Sequence, residues 1–184
     1  NWIAHFDLNI RDIGVNAESS PVAFSAGTGN IRSATQDYLG FDIYGNADGS
    51  DEIRINARDG TTNSYGGSVE PTMNKQYYAT MQREGTAFSL KLYTSESDRK
   101  TGSNVSITTS MTLSGTFSGL THIQVTSWTG SSNTTTWEVD NLVIYNDVTS
   151  ISDAPPLHIG VILDESYRGN HATQNGNPIK HSST

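Results

Sequence analysis

QYYATMQREGTAFSLKLYT, residues Gln76–Thr94, decides the fold. Apolar side chains take alternate positions before its centre (Tyr77, Ala79, Met81) and after it (Phe88, Leu90, Leu92), around Arg83-Glu84-Gly85-Thr86. Two period-two runs joined by a short loop containing glycine predict an antiparallel hairpin. A helix would scatter those apolar positions around its cylinder; a pleated strand gathers them on one face and leaves Thr80, Gln82, Ser89 and Lys91 on the other.

Similar patterns extend in both directions. Trp2, Ala4, Phe6, Leu8 and Ile10 alternate with Ile3, His5, Asp7, Asn9 and Arg11, which predicts a strand with one buried and one wet face. Tyr38–Tyr44 and Glu52–Ala57, joined by Gly45-Asn46-Ala47-Asp48-Gly49-Ser50-Asp51, predict a second hairpin. Further strands are expected over Val105–Leu113, Thr121–Trp128 and Thr136–Tyr145. Residues 13–37 read as a long polar connection with Val22-Ala23-Phe24 as a short strand, 58–74 as loop, and 95–103 as a charged tip. At least eight strands and no credible helix give an all-β chain folded as a two-sheet antiparallel jelly-roll sandwich.

Four blocks carry a resemblance to a known family: the Gln76–Thr94 hairpin, WIAHFDLNI (Trp2–Ile10), YLGFDIY (Tyr38–Tyr44) and WEVDNLVIYN (Trp137–Asn146). In this order and spacing they resemble the concanavalin A-like superfamily, and within it the laminin-G-like jelly-roll modules. The likeness covers about Asn1 to Asn146. It implies a sandwich over residues 1–150, followed by an extension over 151–184 made of a short strand, 157–163, and a polar arm. Family modules begin with a strand upstream of the block that here starts at Trp2. Without it, an unpaired edge is expected beside that strand. The LHIGVIL run, Leu157–Leu163, is expected either to close an edge of its own sheet or to be donated to a neighbouring chain in a homopolymer.

Composition narrows the function. The chain has 184 residues, enough for one domain with a real core, and 34% hydrophobic against 16% charged residues. A net charge of −8 with only 11 Lys and Arg argues against nucleic acid as the main partner. No stretch approaches the roughly 20 apolar residues of a membrane span, so membrane insertion is not expected. There is no cysteine, so disulfides hold nothing together. The chain opens in mid-strand without Met and reads as a processed or truncated product of a protein that is extracellular or on a cell or virion surface. On that reading Asn104 and Asn133, each opening an Asn-x-Ser/Thr triplet, are glycosylation candidates.

Catalytic members of the superfamily carry Glu-x-Asp-x-x-Glu on one strand. Here Glu138 and Asp140 match, and Val143 takes the third place. Groups at i and i+2 on a strand are roughly 6 to 7 Å apart, against about 5 to 5.5 Å for a retaining pair; with the third acid missing, no catalytic residue is assigned. The resemblance raises calcium as a cofactor, and Asp48, Asp51 and Glu52 in an oxygen-rich turn are the candidate ligands. The five histidines lack zinc spacing, and His5 and His122 are expected to face solvent or be hydrogen-bonded. Glycan binding needs an aromatic platform beside amide hydrogen bonders, and Trp128, Tyr65, Asn63 and Asn133 are the candidates, with Trp128 foremost. The expectation is a non-catalytic carbohydrate-binding or adhesion module. The alternative is a structural subunit, its partners other copies of itself linked by strand donation through residues 157–184.

Overall fold

The computed structural model describes residues 1–29, 31, 35–129, 134–148, 157–158 and 163–164. Two antiparallel sheets pack face to face. The strands are β1 (Trp2–Ile13), β2 (Ala17–Ser25), β3 (Tyr38–Gly45), β4 (Asp51–Asp59), β5 (Thr62–Val69), β6 (Gln76–Glu84), β7 (Ala87–Tyr93), β8 (Ile107–Thr112), β9 (His122–Thr129), β10 (Thr135–Asn146), β11 (Leu157–His158) and β12 (Leu163–Asp164), with one helix, α1 (Glu96–Thr101), between β7 and β8. The first sheet runs β8-β7-β6-β1-β10, with β11 and β12 both on the far side of β10; the second runs β5-β4-β3-β2-β9.

The opening hairpin is β6-β7, paired from Tyr78↔Tyr93 to Glu84↔Ala87. Its loop is Gly85-Thr86, and Gly85 at φ +57° supplies the positive φ that a tight hairpin turn demands. Tyr77, Ala79, Met81, Phe88, Leu90 and Leu92 are all buried, as the alternation requires. They face β3 and β4 of the second sheet, whose inward residues are Leu39, Phe41, Ile43, Ile53, Ile55 and Ala57. Phe6 of β1 stacks on Phe41 of β3 across the interlayer, ring centroids 5.7 Å and planes 9° apart.

Several expectations are corrected. Residues 17–25 are a fully buried strand, not part of a polar connection. Its polar residues are paired inside the protein: Ser19 Oγ accepts from Trp137 Nε1 at 3.0 Å and from Thr135 Oγ1 at 2.8 Å. Once satisfied, such groups can lie in a core strand, and the period-two test misses them. Pro21 falls where β2 shifts register against both its neighbours, which is where a residue without an N–H is tolerated.

Residues 62–69 form edge strand β5 rather than loop. Gly66 is there for proximity: a Cβ on it would lie 2.5 Å from Ile55 Cγ1 and 3.0 Å from the Ser110 carbonyl. β5 meets β8 along this seam, where Thr109 Oγ1 donates to the Gly67 carbonyl. The charged tip holds a six-residue helix, started by Ser95, whose Oγ accepts from Asp98 N at 3.1 Å, and ended by Gly102 at φ +68°.

The second face of β1 is not wet either: Ile3, His5 and Asn9 are buried. His5 does not face solvent, and its Nε2 has no hydrogen-bond partner. The edge beside Trp2 is also closed, because β1 lies between β6 and β10 along its length. The exposed flank belongs to β10. There Leu157 pairs Ile144 and His158 pairs Val143, while Leu163 pairs Val139 and Asp164 pairs Glu138. The described ends of the apolar run, Leu157–His158 and Leu163, therefore pair with β10 of their own chain, at a different edge from the one anticipated, and residues 159–162 lie outside the described residues.

Candidate functional site

The face of the second sheet turned away from the core is built on β3 and β4. Because side chains alternate, the same strands that bury Phe41 and Ile55 project Asp42, Tyr44, Arg54, Asn56 and Arg58 the other way. β2 adds Glu18 opposite Tyr44, and β5 adds Tyr65 opposite Asn56 and Asn63 opposite Arg58.

Asp42, on the central strand, is fully buried and is the hub of this face. Its Oδ1 accepts from Ser20 Oγ at 2.5 Å and its Oδ2 from Asn56 Nδ2 at 2.6 Å. Arg54 Nε stands 3.8 Å from the same Oδ2, and Arg54 Nη2 donates to Glu18 Oε1 at 2.8 Å. A carboxylate this deep is tolerable only when hydrogen-bonded and charge-paired, and Asp42 has both.

Those contacts hold the guanidinium still, and two tyrosines sandwich it. The Arg54 Cζ lies 4.6 Å from the Tyr44 ring centroid and 4.3 Å from that of Tyr65. Each such contact contributes about 0.5 to 1 kcal/mol at a partly exposed site. Tyr65 is 47% exposed, so its ring is fixed from behind and open in front. Asn63 lies exposed two positions along the same strand.

The structure thus brings together Tyr65 and Asn63 from the candidate set. Trp128 belongs to β9 and pairs with Glu18 in the register of β2, on the neighbouring strand. Asn133 lies outside the described residues. Asn104 is exposed, at φ +50°, and its Nδ2 donates to Asp98 Oδ1 at 2.7 Å, so the atom that would carry a sugar already ties down the helix. Alternation did not single out Glu18, Asp42, Arg54 or Asn56. The available signal was the run of polar residues at every second position of two central strands, Asp42-x-Tyr44 and Arg54-x-Asn56-x-Arg58.

Of the calcium candidates, Asp48 lies in the β3-β4 turn, and Asp51 and Glu52 open β4. Asp48 Oδ1 accepts from Ser50 N at 3.0 Å and from Ser50 Oγ at 2.7 Å, and these bonds hold its carboxyl below the usual range. Asp51 is pushed up by burial and then by the charges of Glu70 and Asp12. Among the described residues no three His, Asp or Glu side chains converge as a metal site would require.

Glu138 and Asp140 lie on the outer face of the other sheet. Glu138 Oε2 accepts from Arg11 Nη2 at 2.9 Å. Asp140 Oδ1 accepts from the backbone N–H of Asn141, which sits at φ +54° in a bulge of β10. Val143 holds the place of the motif's third acid, but a different acid comes close: Asp7 of β1 pairs Asp140 in register. Asp7 is engaged by Asn141 Nδ2 at 2.7 Å and by Arg99 Nη1 at 3.5 Å. All three carboxylates are therefore tied into the structure of the sheet.

A small recess of about 130 Å³ opens at the β5-β8 seam, lined by Asp59, Thr62, Ser64, Met111 and Phe117 among others. Ordinary ligand pockets begin at about 300 Å³.

No protein-family model matches the chain, and no curated protein matches it. Solved structures do. The full-length tailspike protein 2 of Escherichia coli O157:H7 bacteriophage CAB120 superposes with a TM-score of 0.51 at 15% identity, over 78% of this chain and 19% of that one. The enzymatically active domain of bacteriophage CBA120 tailspike protein 2 gives a TM-score of 0.50 at 12% identity, over 78% and 22%. The chain spans about a fifth of the tailspike structures it matches. At this identity the likeness establishes a shared fold.

Proposed function

We propose that this sandwich is a non-catalytic glycan-binding module of a virion or cell-surface protein, and that its ligand lies on Tyr65. One observation carries the reading: a half-exposed tyrosine ring is backed by Arg54, which two buried carboxylates hold in place. A sugar presents an apolar C–H face to an aromatic ring and hydroxyls to the amides and carboxylates around it. A platform that does not have to be ordered on binding loses less entropy to the complex. Asn63 supplies an amide on the same strand, and the Trp128 position adjoins Glu18. The fold shared with a portion of a phage tailspike protein is consistent with a surface setting.

The subunit alternative, strand donation between copies, has less to draw on, since β11 and β12 pair with β10 of the same chain. An enzymatic reading would need an unengaged carboxyl pair, and Glu138, Asp140 and Asp7 each hold a partner.

The test is a neutral and acidic glycan panel followed by calorimetry with Tyr65→Ala, with and without a chelator. Losing the platform is expected to weaken binding about tenfold or more, equivalent to ~1.4 kcal/mol, with the fold intact and the chelator without effect. Absence of binding to any glycan, or full affinity in Tyr65→Ala, rejects the proposal.

A further inference from the structure

We infer that the Arg54 site takes uncharged sugar residues and discriminates against carboxylated ones, an inference that rests on the glycan reading above. An arginine on a binding face ordinarily suggests an acidic ligand, because its planar fork matches a carboxylate in two parallel hydrogen bonds. Here the guanidinium is already paired with carboxylates of its own chain. Nη2 donates to Glu18 Oε1 at 2.8 Å, Nε lies 3.8 Å from Asp42 Oδ2, and Cζ lies 4.6 Å and 4.3 Å from the ring centroids of Tyr44 and Tyr65.

The charge around it has the wrong sign for an anion. Two carboxylates face one guanidinium, with side chains only 9% and 0% exposed. Glu52 stands opposite Tyr44 in register and adds negative charge at the same end. Arg58, farther along β4, donates Nη1 to the Ile31 carbonyl at 3.1 Å and is tied to that end of the face. The whole chain carries −8. An approaching carboxylate meets a net negative field with its natural partner already taken, whereas a neutral sugar needs only hydroxyl contacts and the ring.

The experiment compares matched pairs of oligosaccharides that differ by one hexose against the corresponding uronic acid, titrated into the full chain by calorimetry at low and high salt. The neutral member is expected to bind roughly three- to tenfold more tightly at low salt, and the gap should narrow as salt rises, because only the acidic member is repelled. Glu18→Gln, which removes one negative charge beside Arg54, should lower the ratio of neutral to acidic affinity, whatever it does to the two affinities together. Should Glu18→Gln fail to fold by circular dichroism, the salt comparison on the unaltered protein decides alone. Tighter binding of the uronate, weakening with salt, overturns the inference while leaving the glycan reading intact. Binding of neither member overturns both.

Discussion

Replacing Asp42 with alanine tests the argument where it is most exposed. The side chain is fully buried and serves three neighbours: the Ser20 hydroxyl at 2.5 Å, the Asn56 amide at 2.6 Å and the Arg54 guanidinium at 3.8 Å. Removing it leaves two buried donors short of a partner, at about 1 to 3 kcal/mol each. It also removes one of the two carboxylates beside Arg54. Breaking a buried ion pair costs about 3 to 5 kcal/mol when the survivor is stranded, but Arg54 keeps Glu18 at 2.8 Å and about a fifth of its surface in water. These costs belong to one carboxylate and overlap, so the lower end of the ion-pair range stands for the whole, about 3 kcal/mol. With a urea slope near 2 kcal/mol/M, the midpoint should fall by roughly 1.5 M at unchanged slope. Asp42→Asn, which keeps the shape and the acceptor to Ser20, should lose about half as much. Glycan affinity should fall in parallel, because Arg54 and the Tyr65 ring lose their anchor. A shift below about 0.5 M in Asp42→Ala, or undiminished binding in a destabilised Asp42→Ala, would refute the claim that this buried hub organises the face.

Two other predictions concern the opposite sheet. Burial, followed by the nearby positive charge of Arg99, lowers the His5 pKa to about 4, so the folded protein holds His5 neutral while the unfolded chain protonates it near 6.5. The unfolded state therefore binds more protons between those values. Stability present above pH 6.5 should be lost as pH falls toward 4, by up to about 3 kcal/mol, and urea titrations of His5→Gln should lack that component. Glu138→Gln breaks an ion pair whose side chains are 42% and 61% exposed. It should change stability by less than about 0.5 kcal/mol and leave glycan binding untouched; glycan cleavage that this substitution abolished would restore the catalytic reading.

The architecture was legible wherever burial followed alternation. The β6-β7 hairpin and the β3-β4 hairpin appear almost at the residues expected, because each strand puts apolar groups on one face only. Legibility failed where the polar side of the alternation was itself buried. The first half of β2 escaped notice because Glu18, Ser19 and Ser20 look like loop residues until their partners, Arg54, Trp137 and Asp42, are known, and those lie 22 to 118 positions away. β5 escaped because Gly66 is dictated by its contact with Ile55 and β8, a constraint with no local pattern. The site failed in the same way. Tyr65 and Asn63 were identifiable by residue type, but the carboxylates that fix them come from strands whose pairing one chain's sequence does not reveal. The helix Glu96–Thr101 was the most recoverable miss, since Ser95, the acidic first turn and Gly102 are local signals.

Both sheets bury polar groups on the faces turned away from the core, and the two do so on different terms. On the second sheet Asp42 takes donors on both oxygens, while Arg54 Nε, Asn56 Oδ1 and Thr126 Oγ1 are buried without hydrogen bonds. On the first, His5 Nε2, Asp7 Oδ1, Asn9 Oδ1 and Arg99 Nε are buried without hydrogen-bond partners. Unsatisfied buried groups cost stability and leave their side chains free to settle in several arrangements. A ligand that must be met by preformed geometry is better served by a face whose central carboxylate is bonded on both oxygens. That anchored hub and the half-exposed Tyr65 ring beside it, rather than the count of acidic residues, are why the binding reading rests on Arg54 and Tyr65 and not on Asp7, Glu138 and Asp140.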